Sequence, residues 1–216
     1  MNELQEQMRK RWDEKGWDYD QAGAHGIHNE DEKARWIAKF KELPAAADVL
    51  DVGTGTGFVA LLAAERGHRV TGIDWSVTML TQARAKADQA RLNIAWVEGM
   101  TESLPFENET FDVVTARHVL WTLSAPGQAL AEWHRVLKPG GKVWADFTPR
   151  TGGHHGQHYS EEVEERLPLN KDIPPATIED LFRGAGFADV RTERWDRPSE
   201  HHPPRTTWLF TAFKKS

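Results

Sequence analysis

Three glycines at two-residue spacing, Gly53, Gly55 and Gly57, separate a short apolar run that ends at Val52 from a segment with helical periodicity. Glycines in such a loop let the main chain approach a ligand closely, and the N-terminus of the following helix offers N–H groups that lack intrahelical partners. Asp74 ends the next apolar run, about 20 positions on, where a carboxylate can accept hydrogen bonds from both hydroxyls of a ribose. This unit predicts a nucleoside-binding site.

The spacing of the glycines distinguishes between nucleoside ligands. The dinucleotide fingerprint is G-x-G-x-x-G, whereas here the third glycine comes one residue early and the loop contains no lysine. An NAD-dependent oxidoreductase is therefore a disfavoured alternative. A non-catalytic protein that binds a nucleoside or sequesters metal on the same scaffold is a second alternative, and it would bind its ligand without turnover.

Histidine is the other residue type that could do chemistry, because its unperturbed pKa of about 6.5 suits a general base near neutral pH. His118 follows the apolar strand 111–116, and ligands of an open parallel sheet bind beyond the carboxyl ends of its strands. The alternative is a half-buried histidine with a purely structural role. Further candidates for the base, or for orienting an acceptor, lie in two glycine-rich loops: His25, His28, His154, His155 and His158.

The histidine spacing H-H-x-x-H in the second loop also resembles a metal-ligand pattern, with His25 and His28 as further ligands. Glycine-rich loops that contain histidines are more often exposed to solvent without a ligand, so we expect no bound metal. The chain has no cysteine, which excludes disulfides, thiolate metal sites and a cysteine nucleophile.

The length and composition indicate a single domain that acts on a small molecule. The chain has 216 residues and a net charge of -6, which argues against nucleic acid as the main partner. No apolar run reaches membrane-spanning length and the first residues are charged and amphipathic, so we expect a cytoplasmic monomer or homodimer that has no membrane partner.

Helical and strand patterns alternate along most of the chain, which predicts an α/β fold. Two predicted helices, 2–15 and 30–43, form an N-terminal arm over residues 1–44, and the alternating domain covers 45–216. The arm is either a packed pair of helices, with Trp12, Trp17 and Trp36 as its core, or a lid over the ligand.

Three motifs together resemble those of the class I S-adenosylmethionine-dependent methyltransferases that act on small molecules. They are D-V-G-T-G-T-G at 51–57, L-P-F at 104–106 followed by Phe111-Asp112, and V-L-K-P-G-G at 136–141. The resemblance covers about residues 48–215 and, more loosely, the arm. It implies a doubly wound, Rossmann-like sheet of seven mostly parallel strands in the order 3-2-1-4-5-7-6, with the last strand antiparallel and a helical N-terminal lid.

The resemblance also implies which residues hold the cofactor, S-adenosylmethionine. Asp74 would take the ribose, and Arg117 would offer its backbone beneath the adenine. The residues expected around the methionine portion are Tyr19, Asp51, Gly53, Thr54, Gly55 and Gly57. The residues expected around the adenine are Trp75, Met79, Gly99, Met100, Thr101 and Glu102. Trp75 could instead pack at the sheet edge.

One position departs from the pattern of this family. Met100 stands where the family has an aspartate that holds the adenine amino group, so Thr101, Glu102 or a backbone carbonyl would take that hydrogen bond.

The predicted activity is methyl transfer from S-adenosylmethionine to N, O or C of a small acceptor by in-line displacement, with S-adenosylhomocysteine as product. Holding the two reacting atoms near contact distance can supply roughly 7–11 kcal/mol. The acceptor side is expected to include three aromatic residues and the histidines of the second loop, namely Trp36, Trp121, Phe147, His154, His155 and His158. The many tryptophans favour a flat or cationic acceptor.

Overall fold

A computed structural model describes residues 2–21, 30–149, 159–195 and 206–216. Its centre is one sheet of seven strands in the order β3-β2-β1-β4-β5-β7-β6. The strands are β1 (Asp48–Val52), β2 (Arg69–Asp74), β3 (Ile94–Glu98), β4 (Phe111–Ala116), β5 (Leu137–Phe147), β6 (Ala188–Arg194) and β7 (Trp208–Phe213). Strands β1 to β5 pair in parallel, and β7 is antiparallel to both of its neighbours. The predicted fold class and strand order are confirmed.

Seven α-helices surround this sheet among the described residues. They are α1 (Glu3–Lys15), α2 (Glu30–Phe40), α3 (Phe58–Glu65), α4 (Val77–Ala90), α5 (Pro126–Val136), α6 (Glu161–Arg166) and α7 (Pro175–Gly184). Short 3₁₀ helices cover Gly16–Gln21 and Leu120–Thr122.

Both faces of the sheet are covered, which explains the nearly continuous apolar runs of its central strands. Successive side chains of a strand point to opposite faces, so Val49 joins the hydrophobic cluster beneath α2 and α3, whereas Leu50 joins the cluster beneath α5 and α7. In β1 only Asp48, at its start, is not fully buried.

The predicted ends of some elements differ from the observed ones. Helix α2 ends at Phe40 rather than Leu43, and β5 begins at Leu137, so the Lys-Pro-Gly-Gly segment lies inside its range. Helix α6 was not predicted, because a six-residue helix with Val163 as its one buried residue carries too short an amphipathic pattern.

The N-terminal arm contributes to two hydrophobic clusters. Leu4 and Met8 of α1 pack with Tyr159 and the apolar residues of α6, whereas Trp36 of α2 packs against Phe40 and Trp195. Among the described residues, no helix combines the length and the apolar character that crossing a bilayer requires.

Candidate functional site

The glycine loop lies at the carboxyl end of β1, where the strand order reverses between β1 and β4. Gly53 and Gly55 have positive φ angles of 57° and 53°, a region that side chains disfavour. A Cβ atom at Gly53 would come within 2.5 Å of Val119 Cγ2. Gly57 has φ 87° and caps α3. The loop therefore brings bare main chain to the site, as the sequence predicted.

Asp74, at the end of β2, is joined to this loop by hydrogen bonds. The Gly55 N–H donates to Oδ2 at 2.8 Å and the Ser76 N–H donates to Oδ1 at 2.9 Å. Burial raises the pKa of Asp74 to about 6, against the opposing effect of these two hydrogen bonds. Its carboxylate lies at the wall of the cavity, and its remaining lone pairs suit the hydroxyls of a ribose.

Asp51 is a second buried carboxylate beneath the loop. It accepts hydrogen bonds from the hydroxyls of Thr54 at 2.6 Å and Thr115 at 2.7 Å. Burial raises the pKa of Asp51 to about 6, while these hydroxyls and the nearby charge of Arg117 act in the opposite direction. Asp51 and Thr54 line a smaller cavity next to the glycines.

The main cavity has a volume of about 620 Å³, including the space at its mouth. Many of the predicted cofactor residues line it: Tyr19, Gly53, Gly55, Asp74, Trp75, Met79, Gly99, Thr101, Glu102 and Arg117. His118 lines it as well. A cavity of this size, with a bare glycine loop at one end and a buried carboxylate beside it, fits a nucleoside with an amino-acid tail.

The end of the cavity after β3 contains the departure from the family pattern. Met100 is half-buried, forms a β-bridge with Ser103 and is not among the lining residues of either cavity. Glu102 is buried and accepts hydrogen bonds from the Ser124 N–H at 3.2 Å and the Thr101 hydroxyl at 3.1 Å. Thr101 and Glu102 therefore provide the polar atoms at this end of the cavity.

The N-terminal arm closes one side of the cavity with Trp12 and Tyr19. Three polar contacts fix it there. The Ser76 hydroxyl donates to Asp13 Oδ1 at 2.7 Å, the Thr56 hydroxyl donates to Asp20 Oδ1 at 2.6 Å, and Lys86 pairs with Asp20 Oδ2. The arm therefore contacts both the glycine loop and α4. Its role as a lid stays a prediction.

The aromatic residues at this side form a cluster. Trp12 makes edge-to-face contacts with Tyr19, Trp121 and Tyr159 at centroid distances of 5.9, 6.3 and 6.1 Å. The Trp12 indole N–H also donates to the Tyr159 hydroxyl at 2.5 Å. Trp12 and Tyr19 are the members of this cluster that line the cavity.

Arg117, directly after β4, forms a buried ion pair with the second helix of the arm. Its Nε donates to Glu32 Oε1 at 2.6 Å, and the two side chains are only 6% and 3% exposed. The guanidinium lies 4.4 Å from the ring centre of Phe58 and lines both cavities. The family resemblance implied only a backbone contact from Arg117 to adenine, whereas the Arg117 side chain forms part of the cavity wall.

His118 adopts a left-handed backbone conformation with φ 62°. Its N–H donates to Asp146 Oδ1 at 2.5 Å, and its Nε2 lies 3.6 Å from Asp146 Oδ2. Asp146 is buried near the end of β5, the strand next to β4. Backbone strain of this kind concentrates at functional sites, where surrounding contacts hold it.

Glu32, His118 and Asp146 bring three potential metal-ligating atoms within 4.8 Å of one another, and no other such group occurs in the described ranges 2–21, 30–149, 159–195 and 206–216. The guanidinium of Arg117 already bonds Glu32 in this cluster. The cluster therefore contains two carboxylates and one fixed positive charge.

Several predicted acceptor residues lie elsewhere. Trp36 and Phe147 are 0% and 1% exposed and belong to the two main hydrophobic clusters, because their strand and helix positions face the core. Trp121 is part of the aromatic cluster but not of the cavity wall. The predicted loop histidines, His25, His28, His154, His155 and His158, fall outside the described residues, as does the side chain of Trp17.

Glu32, Asp146 and Trp12 were not predicted as site residues. Glu32 and Trp12 read as ordinary helix positions of the arm, and Asp146 is one polar residue in an apolar strand. That last feature was a usable signal, since a carboxylate inside a buried strand requires a partner.

Comparisons with known proteins agree with the fold. The sequence pattern of the methyltransferase-domain family matches residues 50–145. A demethylmenaquinone methyltransferase from Chlorobaculum tepidum is 44% identical over 180 residues, which cover 77% of this chain and 73% of that protein. The ubiquinone/menaquinone biosynthesis C-methyltransferase of Desulfotalea psychrophila is 33% identical over 187 residues, or 74% of this chain and 75% of that protein.

One further relative and one solved structure extend the comparison. A demethylmenaquinone methyltransferase from Thermus thermophilus is 36% identical over 141 residues, which cover 62% of this chain and 64% of that protein. Phosphoethanolamine N-methyltransferase 2 of Haemonchus contortus, solved with phosphomonomethylethanolamine and S-adenosylhomocysteine, superposes with a TM-score of 0.77 at 19% identity, covering 97% of this chain and 61% of that one. That structural likeness concerns the fold.

The chain belongs to the class I S-adenosylmethionine-dependent methyltransferases. The cofactor of this family is S-adenosylmethionine, and the glycine loop, Asp74 and the cavity of this chain fit it.

Proposed function

We propose that this protein transfers the methyl group of S-adenosylmethionine to a small, flat aromatic acceptor that carries an ionisable hydroxyl, such as a hydroxynaphthalene or a quinol. The observation that carries the proposal is a single cavity whose wall combines the glycine loop and Asp74 with His118, Tyr19 and Trp12. Two of the relatives reported above are demethylmenaquinone methyltransferases, and their name supports this class of acceptor.

The aromatic cluster supports a flat acceptor on physical grounds. Trp12 and Tyr19 line the cavity in edge-to-face contact with each other, and Trp12 also packs edge-to-face against Trp121, so they offer rigid apolar surface. Aromatic pairs of this kind contribute about 0.5–1.5 kcal/mol beyond the area they bury. A ring in the acceptor would continue this packing.

When bound, S-adenosylmethionine supplies a methyl group on a positively charged sulfur, and the displacement leaves the electron pair of the broken C–S bond on that sulfur. The residues of this chain position the reaction. Gly53 and Gly55 would hold the methionine portion through main-chain atoms, and Asp74 would bind the ribose hydroxyls.

His118 is the group we assign to the proton. A hydroxyarene becomes a strong nucleophile at O or at a ring carbon only when its hydroxyl proton is removed, and histidine can accept that proton near neutral pH. His118 lines the same cavity as Asp74 and is 18% exposed in its side chain, so an acceptor can reach it. The proton then passes to solvent, which balances the reaction.

Turnover with a panel of acceptors tests the proposal. The purified protein is incubated with S-adenosylmethionine and, separately, a 1,4-dihydroxynaphthalene, a simple phenol and a primary amine, and S-adenosylhomocysteine and the methylated product are measured by mass spectrometry. We expect turnover with the dihydroxynaphthalene above all. Turnover confined to the amine would refute the acceptor class, and cofactor binding without turnover on any acceptor would favour the non-catalytic alternative.

Matched variants connect turnover to the site. Asp74→Asn removes the charge beside the glycine loop and is expected to weaken cofactor binding, because hydrogen bonds to a charged group contribute about 1.5–3 kcal/mol each. Asp112→Asn is the control, since this carboxylate also accepts a backbone N–H, from Asp48 at 2.7 Å, but at the start of β4, away from the cavity. Equal effects of the two variants would contradict the assignment.

A further inference from the structure

We propose that Asp146 is the positioning residue of His118: it fixes the orientation of the imidazole and stabilises its protonated form during proton removal from the acceptor. The proposal rests on the proposed role of His118 as the base. Asp146 does not line either cavity, so it would act through His118 alone.

The register of the sheet brings the two residues together. Ala116 of β4 pairs with Ala145 of β5, so the residues that follow each of them meet at the carboxyl edge. The Asp146 carboxylate bonds the backbone N–H of His118 with Oδ1 and approaches its ring nitrogen Nε2 with Oδ2, at 2.5 and 3.6 Å. One carboxylate therefore contacts both the main chain and the ring of the same histidine.

The first of these contacts explains the backbone of His118. A φ of 62° is unfavourable for a residue with a side chain and persists where neighbouring contacts hold it. The hydrogen bond to the buried carboxylate of Asp146 is one such contact. It directs the residue that follows Arg117 toward the cavity rather than along the strand.

The second contact is at ion-pair distance rather than hydrogen-bond distance, and it favours a proton on the ring nitrogen that faces Asp146. With hydrogen on Nε2, toward Asp146, the lone pair of the imidazole resides on Nδ1, and that nitrogen accepts the proton of the acceptor hydroxyl. The resulting imidazolium has Asp146 as its counter-charge. The O–H bond of the acceptor breaks, an N–H bond forms on His118, and the proton is later released to solvent.

The charges around His118 agree with this role. They are Asp146 from β5, Glu32 from α2 and Arg117 from the end of β4, with Tyr19 of the arm near the guanidinium. Two carboxylates and one guanidinium leave one negative charge in this cluster, which a protonated His118 neutralises. An opposite charge within about 4–6 Å favours the charged form of an ionisable group.

The experiment measures the titration of His118 and the pH profile of turnover in the same variants. Histidine-labelled protein is titrated by NMR, and the His118 signal is assigned by its loss in His118→Gln. Asp146→Asn keeps an oxygen that can accept the backbone N–H but removes the charge, so we expect the pKa of His118 to fall by about one unit or more.

Turnover with the dihydroxynaphthalene provides the functional part. In Asp146→Asn we expect kcat to fall about tenfold or more and the acid limb of its pH profile to move to lower pH, while KM for S-adenosylmethionine stays within about twofold. In His118→Gln we expect kcat to fall about 100-fold or more. Asp112→Asn changes a matched carboxylate at the amino end of β4, on the opposite side of the sheet from the cavity, and should keep the wild-type pH profile.

The outcomes separate this proposal from the function on which it rests. Absence of wild-type turnover on every acceptor refutes the proposed function. A His118 titration that is unchanged in Asp146→Asn overturns the positioning role whatever the acceptor. Loss of wild-type turnover on chelation, restored by a divalent metal, would also overturn it, because Glu32, His118 and Asp146 would then act as ligands.

Discussion

Replacing Glu32 by alanine should strongly destabilise the protein, because this glutamate neutralises a buried arginine. Glu32 Oε1 lies 2.6 Å from Arg117 Nε, and the side chains are 3% and 6% exposed. Removing one partner of a buried ion pair costs about 3–5 kcal/mol, since the other charge stays buried without it. For a chain of this length, about 2–4 °C per kcal/mol converts that cost into a fall in melting temperature of roughly 6–20 °C.

The control is a glutamate of the same helix. Glu30 begins α2 and pairs with Lys33 at 2.7 Å, but its side chain is 79% exposed. Surface pairs and charges in the first helical turn contribute under about 1 kcal/mol, so Glu30→Ala should melt within a few degrees of the wild type.

Scanning calorimetry without cofactor measures both variants, together with a double variant at the two positions of the ion pair. Glu32→Leu combined with Arg117→Met removes both charges, and we expect it to lose less stability than Glu32→Ala, because no buried charge remains at either position. If the free energy of unfolding of Glu32→Ala were within about 1 kcal/mol of the wild-type value, as expected for Glu30→Ala, the ion pair would not anchor the arm and this reasoning would be refuted.

Two further predictions concern the cofactor side of the cavity. Gly53→Ala should weaken the binding of S-adenosylhomocysteine at least about tenfold and lower the melting temperature, because the new Cβ atom would clash with Val119 Cγ2 and the residue has a positive φ. Isothermal titration measures the affinity, and a wild-type affinity would contradict this prediction. Burial raises the pKa of Asp51 to about 6, so the native state binds more protons than the unfolded state between about pH 4 and 6. The stability that this group contributes is therefore lost as the pH rises through 6. Denaturant unfolding should therefore show that Asp51→Asn gains about 2 kcal/mol of stability relative to the wild type between pH 4 and pH 7, and a constant difference would speak against the raised pKa.

The parts of the site that follow from local sequence could be predicted. The glycine loop and Asp74 belong to one strand–loop–helix–strand unit, whose elements are adjacent in the chain, and they lie together in the structure. The strand order came from the family resemblance rather than from periodicity, and it is confirmed.

The parts that depend on distant contacts could not be predicted. Glu32 and Arg117 are 85 positions apart, and their pairing follows from how α2 packs on the sheet. Asp146 meets His118 only through the register of β4 and β5. Trp36 was expected beside the acceptor because of its residue type, but helical periodicity directs it into the core with Phe40 and Trp195.

The central claim is that the cavity beside the glycine loop binds S-adenosylmethionine. Calorimetric titration of the purified protein with S-adenosylhomocysteine, with NAD as the control ligand, tests it most directly. The account predicts micromolar binding of S-adenosylhomocysteine, clearly weaker binding in Asp74→Asn and no binding of NAD. Binding of NAD, or binding of S-adenosylhomocysteine that Asp74→Asn leaves unchanged, would contradict it.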